Sequence, residues 1–563
     1  MIWLAVLCAV VSFLSSTSSP NRWHSDVDSS PVVTPVAGVN DTSGYKGLDQ
    51  QVRSLERFKR LSPETRCRAY FERLAPLPTS FESIDNVTEV ITATRIYNRC
   101  YLDGYSSEKP SRGLEKTVYP WITGKVPHVE NWQREVVREF PPVPTDETFW
   151  PHWLNQTEGR GIVITLGDRH MHDLAGLIRV LRVLNNTLPI EVVNYEPISN
   201  YTTQLIAYLA TTSDVQGTQQ RVSFVNATAS INPKLEHQLN GWGRKTLAVL
   251  FSTFSEVMLL DCDTVFVQQP HKLFDHPGYG ETGTLFFLDR STNVVRDKHV
   301  MPNLQRSAPS VWDQVAFDIP PWTNRTYNTS YYKYGHNERL EAGVVLVDKK
   351  RKFSSMLMTA QGFRTNPLTQ WSHGEKEYFW LGPTLNGDES YSWAGDRAGM
   401  IGPRISGDER THPHEDIVEV CGMQVAHFIN KELFWFNGGF HAKGANMKGD
   451  WTEEMWTDRE RYKDLNLEEF IEAGKRPFKI THGLIPPHDI ERGGEKVMFA
   501  YNEDNYPNAG LRISYKPWLW CGYSVSGSGD NSMYGTVIEM TEDQTRWYDF
   551  IGRVWDDKYV PKN

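Results

Sequence analysis

From Gly159 onward the chain alternates short apolar runs with longer segments whose apolar residues recur at helical spacing. The run Gly161-Ile162-Val163-Ile164-Thr165-Leu166 predicts a strand. A loop, Gly167-Asp168-Arg169-His170, follows, and then a helix with Leu174, Leu177, Ile178, Leu181 and Leu184 on one face. The pattern repeats as a strand over 190–194, a helix near 203–210, a strand over 221–225 and a helix over 244–254. That helix runs into the hydrophobic segment Glu256 to Val267, which is interrupted only by Asp261-Cys262-Asp263-Thr264. Strands alternating with helices predict an α/β fold built on a parallel sheet. Ligands bind beyond the carboxyl ends of strands in such sheets, so acidic residues emerging from a buried strand stand where a ligand is expected.

The flanks read differently. Residues 1–19 hold a short apolar run, Ile2 to Leu14, expected to be a signal peptide or a shortened signal anchor. It is shorter than the roughly 20 apolar residues that span a bilayer. Residues 20–50 are polar and linker-like, and 51–150 predict a helical stem or cap, with helices around 51–60 and 66–74. The catalytic domain is expected over 151–450, with a C-terminal extension packed on it over 451–563. A content of 39% hydrophobic and 23% charged residues with 19 Trp indicates an ordered body. The net charge of -10 without a long basic run excludes a nucleic-acid surface, which needs clustered cations. Asn-X-Ser/Thr triplets such as those at Asn86, Asn155 and Asn185 agree with a secretory route. Outside the apolar run there are five cysteines, so at least one stays free or pairs between molecules. Cys67 and Cys100, which flank one compact segment, are the first candidates for a bridge, and Cys262 reads as a small buried residue.

Two carboxylates as close as Asp261 and Asp263 repel unless something positive neutralises them. A hard divalent cation, Mn²⁺ or Mg²⁺, suits oxygen ligands and retains positions for substrate phosphates. The competing reading makes Asp261 a turn cap and leaves Asp263 solvated. Arg244 and Lys245 open the preceding helix, where a cation could meet a nucleotide phosphate. Asp168 and Arg169, in the first loop, could meet base or ribose. Gly343 would let backbone approach a sugar, which places Glu341 as a donor or acceptor contact. Glu375 and Glu377, at the start of a helix, could bind acceptor hydroxyls or assist their deprotonation. Acids also favour helix starts on dipole grounds alone. A glycoside hydrolase also needs two carboxylates, but about 5 to 10 Å apart across a sugar; an i, i+2 pair suits one metal better.

The segments Gly161 to Ile164, Leu177 to Arg182 running into Leu188 to Val192, and Leu260-Asp261-Cys262-Asp263-Thr264-Val265-Phe266 resemble the fungal α-1,3-mannosyltransferases of glycosyltransferase family 71. Glu341 to Val347, Gly374 to Trp380 and Gly399 to Gly402 are similar to later blocks of that family, so the resemblance covers about residues 159–440. Cys262 departs from the Ala often found there, and Glu375 stands where Asp is common. The resemblance implies a GT-A nucleotide-sugar-binding, Rossmann-like sheet. It also implies GDP-mannose as donor, a mannose-containing glycan or glycoprotein as acceptor, and α-1,3 transfer with retention of configuration. It further implies a third metal ligand from the distal part of the domain, with His427 the first candidate and His441 its rival. The expected location is the Golgi membrane as a single-pass type II protein with a luminal catalytic domain, or secretion if Ile2 to Leu14 is cleaved. A UDP-sugar donor and a non-catalytic carbohydrate-binding protein are the alternatives.

Overall fold

The computed structural model describes residues 55–289, 300–334, 339–405, 417–440, 479–485, 509–513, 520–525 and 535–556. In chain order the first strands are β1 (His128–Glu130), β2 (Val136–Arg138), β3 (Arg160–Ile164), β4 (Ile190–Asn194), β5 (Val222–Asn226), β6 (Glu256–Leu260) and the two-residue β7 (Val265–Phe266). Then come β8 (Thr284–Leu288), β9 (Leu340–Asp348) and β10 (Trp393–Arg397). All except β7 join one sheet in the order β10-β8-β9-β6-β3-β4-β5-β1-β2.

The centre of this sheet, β5-β4-β3-β6, is parallel, as the alternating pattern predicts. The prediction of a parallel sheet fails beyond β6: β9 enters antiparallel to both β6 and β8. A run that is apolar at every position fits a strand buried on both faces whichever way it runs, so periodicity contains no direction. Val163, Val257, Leu259, Val345 and Val347 face one core. Ile162, Met258, Leu260, Val344 and Leu346 face the other. Gly161 is required by packing, because a Cβ there would lie 2.3 Å from the Phe254 ring.

Predicted and observed elements differ mainly at their ends. The helix expected over 203–210 is Asn200–Thr211, and that expected over 244–254 is Gly243–Phe251. Ser199 caps the first of these by accepting from Thr202 N–H, which moves its start three residues earlier. Helices at Pro63–Phe71 and Ile84–Tyr97 occupy the predicted stem, and the Cys67–Cys100 disulfide staples this segment. That segment is not detached from the sheet's core, since Trp121 donates to Gln361 (3.1 Å) on the long helix Lys349–Arg364.

A second sheet completes the fold. Its strands are β11 (Gly399–Gly402), β12 (Arg404–Ile405), β13 (Ile417–Ile429), β14 (Glu432–Phe436), β15 (His482–Ile485), β16 (Ala509–Ile513), β17 (Trp520–Val525) and β18 (Thr536–Glu539). The main path is β16-β17-β13-β11-β15-β18, with β14 bridging β13 to β7. Cys421 is disulfide-bonded, and the β13–β17 register sets it opposite Cys521. Cys262 is a free, buried cysteine, as its neighbours in the sequence suggest. The C-terminal helix Glu542–Trp555 packs on helix Met171–Val183, where a Cβ on Gly176 would meet Trp555 at 2.6 Å. Trp547, on the same helix, donates to the Val267 carbonyl (2.9 Å), so the C-terminal segment braces the strand that follows the acidic turn. Among the described residues no helix is long and apolar enough to cross a membrane, and the run Ile2 to Leu14 lies outside them.

Candidate active site at the Asp261-Cys262-Asp263 turn

Strand β6 ends at Leu260 because the next residues turn sharply away from the sheet. Asp261 N–H donates to the Gly343 carbonyl (3.0 Å), and the Thr264 hydroxyl donates to the same oxygen (2.9 Å). On the other side Gly438 N–H and Gly439 N–H donate to the Asp263 carbonyl (3.1 and 2.8 Å). The turn is thus fixed by β9 and by the loop after β14, and the side chains of Asp261 and Asp263 are not needed to hold it.

Lys245 reaches this turn from helix Gly243–Phe251. Its Nζ lies 2.5 Å from Asp261 Oδ1 and 2.8 Å from Glu375 Oε1. Burial opposes a charge on Lys245, yet Asp261 and Glu375 together raise its affinity for a proton well above that of an ordinary lysine, so it stays an ammonium. Burial pushes the Asp261 carboxyl up to about 6; Lys245 works against that rise, and Asp263 and Glu375 add to it. Burial, followed by Asp261 and Asp263, also raises the Cys262 thiol well above its usual range, so this cysteine is no nucleophile. His170 belongs to the same neighbourhood, which sequence reasoning missed. Burial and Arg169 depress its basicity, while Asp263 acts in the opposite direction.

Lys245, Asp261 and Glu375 therefore meet in one cluster. Other residues singled out in the sequence have partners of their own. Arg244 pairs with Glu196 and lies 5.6 Å over the Tyr195 ring. Asp168 is exposed and accepts from Ser199 N–H (3.1 Å) and the Thr202 hydroxyl (2.6 Å), so it braces the residue that caps helix Asn200–Thr211. The Thr202 bond is the first cause of its lowered pKa. Arg169 donates to His170 (3.1 Å).

Glu341 accepts from Gly343 N–H (3.0 Å) and from the Asn437 amide (2.8 Å), bonds that tie β9 to the loop after β14. Glycine at 343 allows close packing against β14 and that loop, since a Cβ would lie 2.9 Å from the Trp435 ring and 3.2 Å from the Asn437 side chain. Glu377 is fully buried and accepts from Arg339 N–H (2.8 Å) and the Trp380 indole (2.5 Å), so it anchors the start of β9.

His427 is buried on β13, stacked on Trp435 (ring centroids 4.2 Å apart) with Phe287 edge-on at 5.1 Å. Among the described residues no three His, Cys, Asp or Glu side chains are grouped as a metal site. His427 stacks on an aromatic neighbour in the adjacent strand. His441 lies outside the described residues.

A family model described as "Mannosyltransferase putative" matches residues 159–428. "Putative alpha-1,3-mannosyltransferase MNN13" of Candida albicans is 31% identical over 79% of this chain and 66% of its own length. The chain covers 59% and 64% of two further Candida albicans relatives, less than two thirds of their length. "Alpha-1,3-mannosyltransferase MNT2" of Saccharomyces cerevisiae is 26% identical over 77% of this chain and 86% of its own. Among solved structures, the mannosyltransferase Ktr4p of Saccharomyces cerevisiae covers 58% of this chain and 84% of its own at 12% identity, with a TM-score of 0.27, too distant to bear on fold or chemistry. With the α/β sheet, the acidic turn at its carboxyl edge and these relatives in hand, the chain belongs to the family of fungal α-1,3-mannosyltransferases.

Proposed function

We propose that this chain transfers mannose from GDP-mannose to a mannose-containing glycan, forming an α-1,3 bond with retention of configuration. The observation that carries the reading is the meeting of Asp261, Lys245 and Glu375 at the carboxyl edge of β6. Asp261 and Glu375 share the ammonium of Lys245 there, and burial makes Asp261 hard to ionise, with Asp263 and Glu375 adding to the effect. An arrangement short of positive charge and made of oxygen donors fits a hard divalent cation. Asp261 and Asp263 would hold the ion, Mn²⁺ or Mg²⁺, and when bound it supplies charge that neutralises the diphosphate leaving group.

The chain's own residues do the rest. Lys245 holds Asp261 and Glu375 in place and adds a fixed positive charge where the diphosphate develops negative charge. Glu375, buried and oriented by Lys245, can accept from sugar hydroxyls. We further propose a Golgi location with a luminal catalytic domain, on the strength of the apolar run near the N-terminus and the secretory-type disulfides. Donor choice is tested by GDP or UDP release from GDP-mannose and UDP-sugars, each with Mn²⁺ or EDTA. Mn²⁺-dependent release of GDP, speeded by a mannoside acceptor, is expected; turnover of a UDP-sugar alone would replace the donor, and no turnover of any donor would refute the enzyme.

A further inference from the structure

We propose that Trp242 and His373 form a platform on which a pyranose ring of the acceptor glycan stacks. The inference rests on the glycosyl-transfer reading and adds where the acceptor lies. Trp242 is 54% exposed, and it caps the helix whose third residue is Lys245. Its carbonyl accepts from Lys245 N–H (3.1 Å), so the indole and the ammonium are carried on one helical turn. His373 is also exposed, with its ring 5.5 Å from that of Trp242 and inclined at 52°. It stands two residues before Glu375, the other partner of Lys245.

Between them lies Gly374, whose φ of +84° is the left-handed region. A Cβ there would sit 3.0 Å from Trp242 Cε3, so the glycine lets the backbone pass directly beneath the indole. Two of the three segments that build the Lys245–Asp261–Glu375 cluster thus also present one aromatic ring each to solvent beside it. An indole with one part held against backbone and the rest open to solvent suits a ligand with one C–H face and polar edges, as a pyranose has. The other edge of that sugar can then reach the carboxylate side of the cluster. A guanine base would also stack on an indole, which makes it the competing occupant.

Trp242→Ala is expected to raise the acceptor KM about ten-fold, with the donor KM unmoved and Trp242→Phe recovering most of the loss. A rise in the donor KM instead would assign the platform to the base, and no change in either would remove the platform; both outcomes overturn the proposal. A turnover-independent arm titrates wild type and Trp242→Ala with α-mannobiose, following saturation transfer to the sugar. Binding that Trp242→Ala loses supports the platform; equal binding by the two, or none by wild type, overturns it. Absence of GDP release with mannobiose binding intact would count against the transferase reading alone.

Discussion

Asp261→Asn is expected to lower turnover by about 10² to 10³ while raising thermal stability at neutral pH. The two effects have one origin. The Asp261 carboxyl is pushed up to about 6 by burial, with Asp263 and Glu375 adding to the rise and Lys245 only partly offsetting it. Its folded pKa lies above the ordinary carboxylate value, so the folded chain holds the proton more tightly than the unfolded one. The ionised group therefore costs folding free energy progressively as pH rises from about 4 to 6, and the cost persists above that window. An amide keeps an acceptor for Lys245 and removes the charge. The melting temperature of the variant in EDTA should exceed that of wild type at pH 7.5, and the gap should close toward pH 4.

Scanning calorimetry across that pH range checks the sign. A variant less stable than wild type at pH 7.5 would mean that the ion pair with Lys245 outweighs burial. Retained turnover would remove Asp261 from the site. Groups that function by holding charge in a buried place are commonly ones the fold would do better without.

Arg95→Met is expected to cost about 3–5 kcal/mol of stability with no direct effect at the site. Arg95 lies on helix Ile84–Tyr97 and is completely buried. It donates to Asp313 Oδ2 (2.7 Å), the Leu385 carbonyl (2.6 Å) and the Ser307 carbonyl (2.5 Å). One guanidinium thus ties the N-terminal helices to the segments after β8 and before β10. Methionine fills much of the volume but leaves the buried Asp313 carboxylate, among the described residues, with its bond from Ser310 N–H (2.7 Å). Urea titration should show the loss as a lower midpoint. Adding Asp313→Asn to Arg95→Met should return part of it, since the uncompensated charge is then gone. A loss below about 1 kcal/mol for Arg95→Met would show that the pair contributes little beyond packing.

The central βα units were legible because each strand is a short apolar run and each helix repeats its apolar face, signals that depend on neighbours within about a turn. The direction of β9 was not, since Ala342 to Val347 is apolar on both faces in either orientation. The same contrast runs through the site. Asp261 and Asp263 stood out because acids at the end of a buried strand are rare for a reason. Lys245 and Glu375 were named on position alone, and the structure brings both to Asp261. Asp168, Glu341 and Glu377 were named by the same kind of argument, and each is committed to backbone N–H groups. A carboxylate that ties down backbone and one that meets a ligand look alike in one dimension. Trp242, His373 and His170 had no periodic signal, and neither had Gly438-Gly439, the turn that clamps Asp263.

By itself, then, the sequence determined the α/β core, the acidic turn, the Cys67–Cys100 bridge and the family, all properties written in local pattern or in matching residues. Tertiary structure alone decided which charges meet. Lys245 lies 16 residues before Asp261 and Glu375 lies 114 after it, and only the crossing of helix and loop over β6 joins them. It also decided that His427 stacks on Trp435, because the pairing of β13 with β14 sets that register. Long-range electrostatics depend on distances in space, which a linear spacing does not contain.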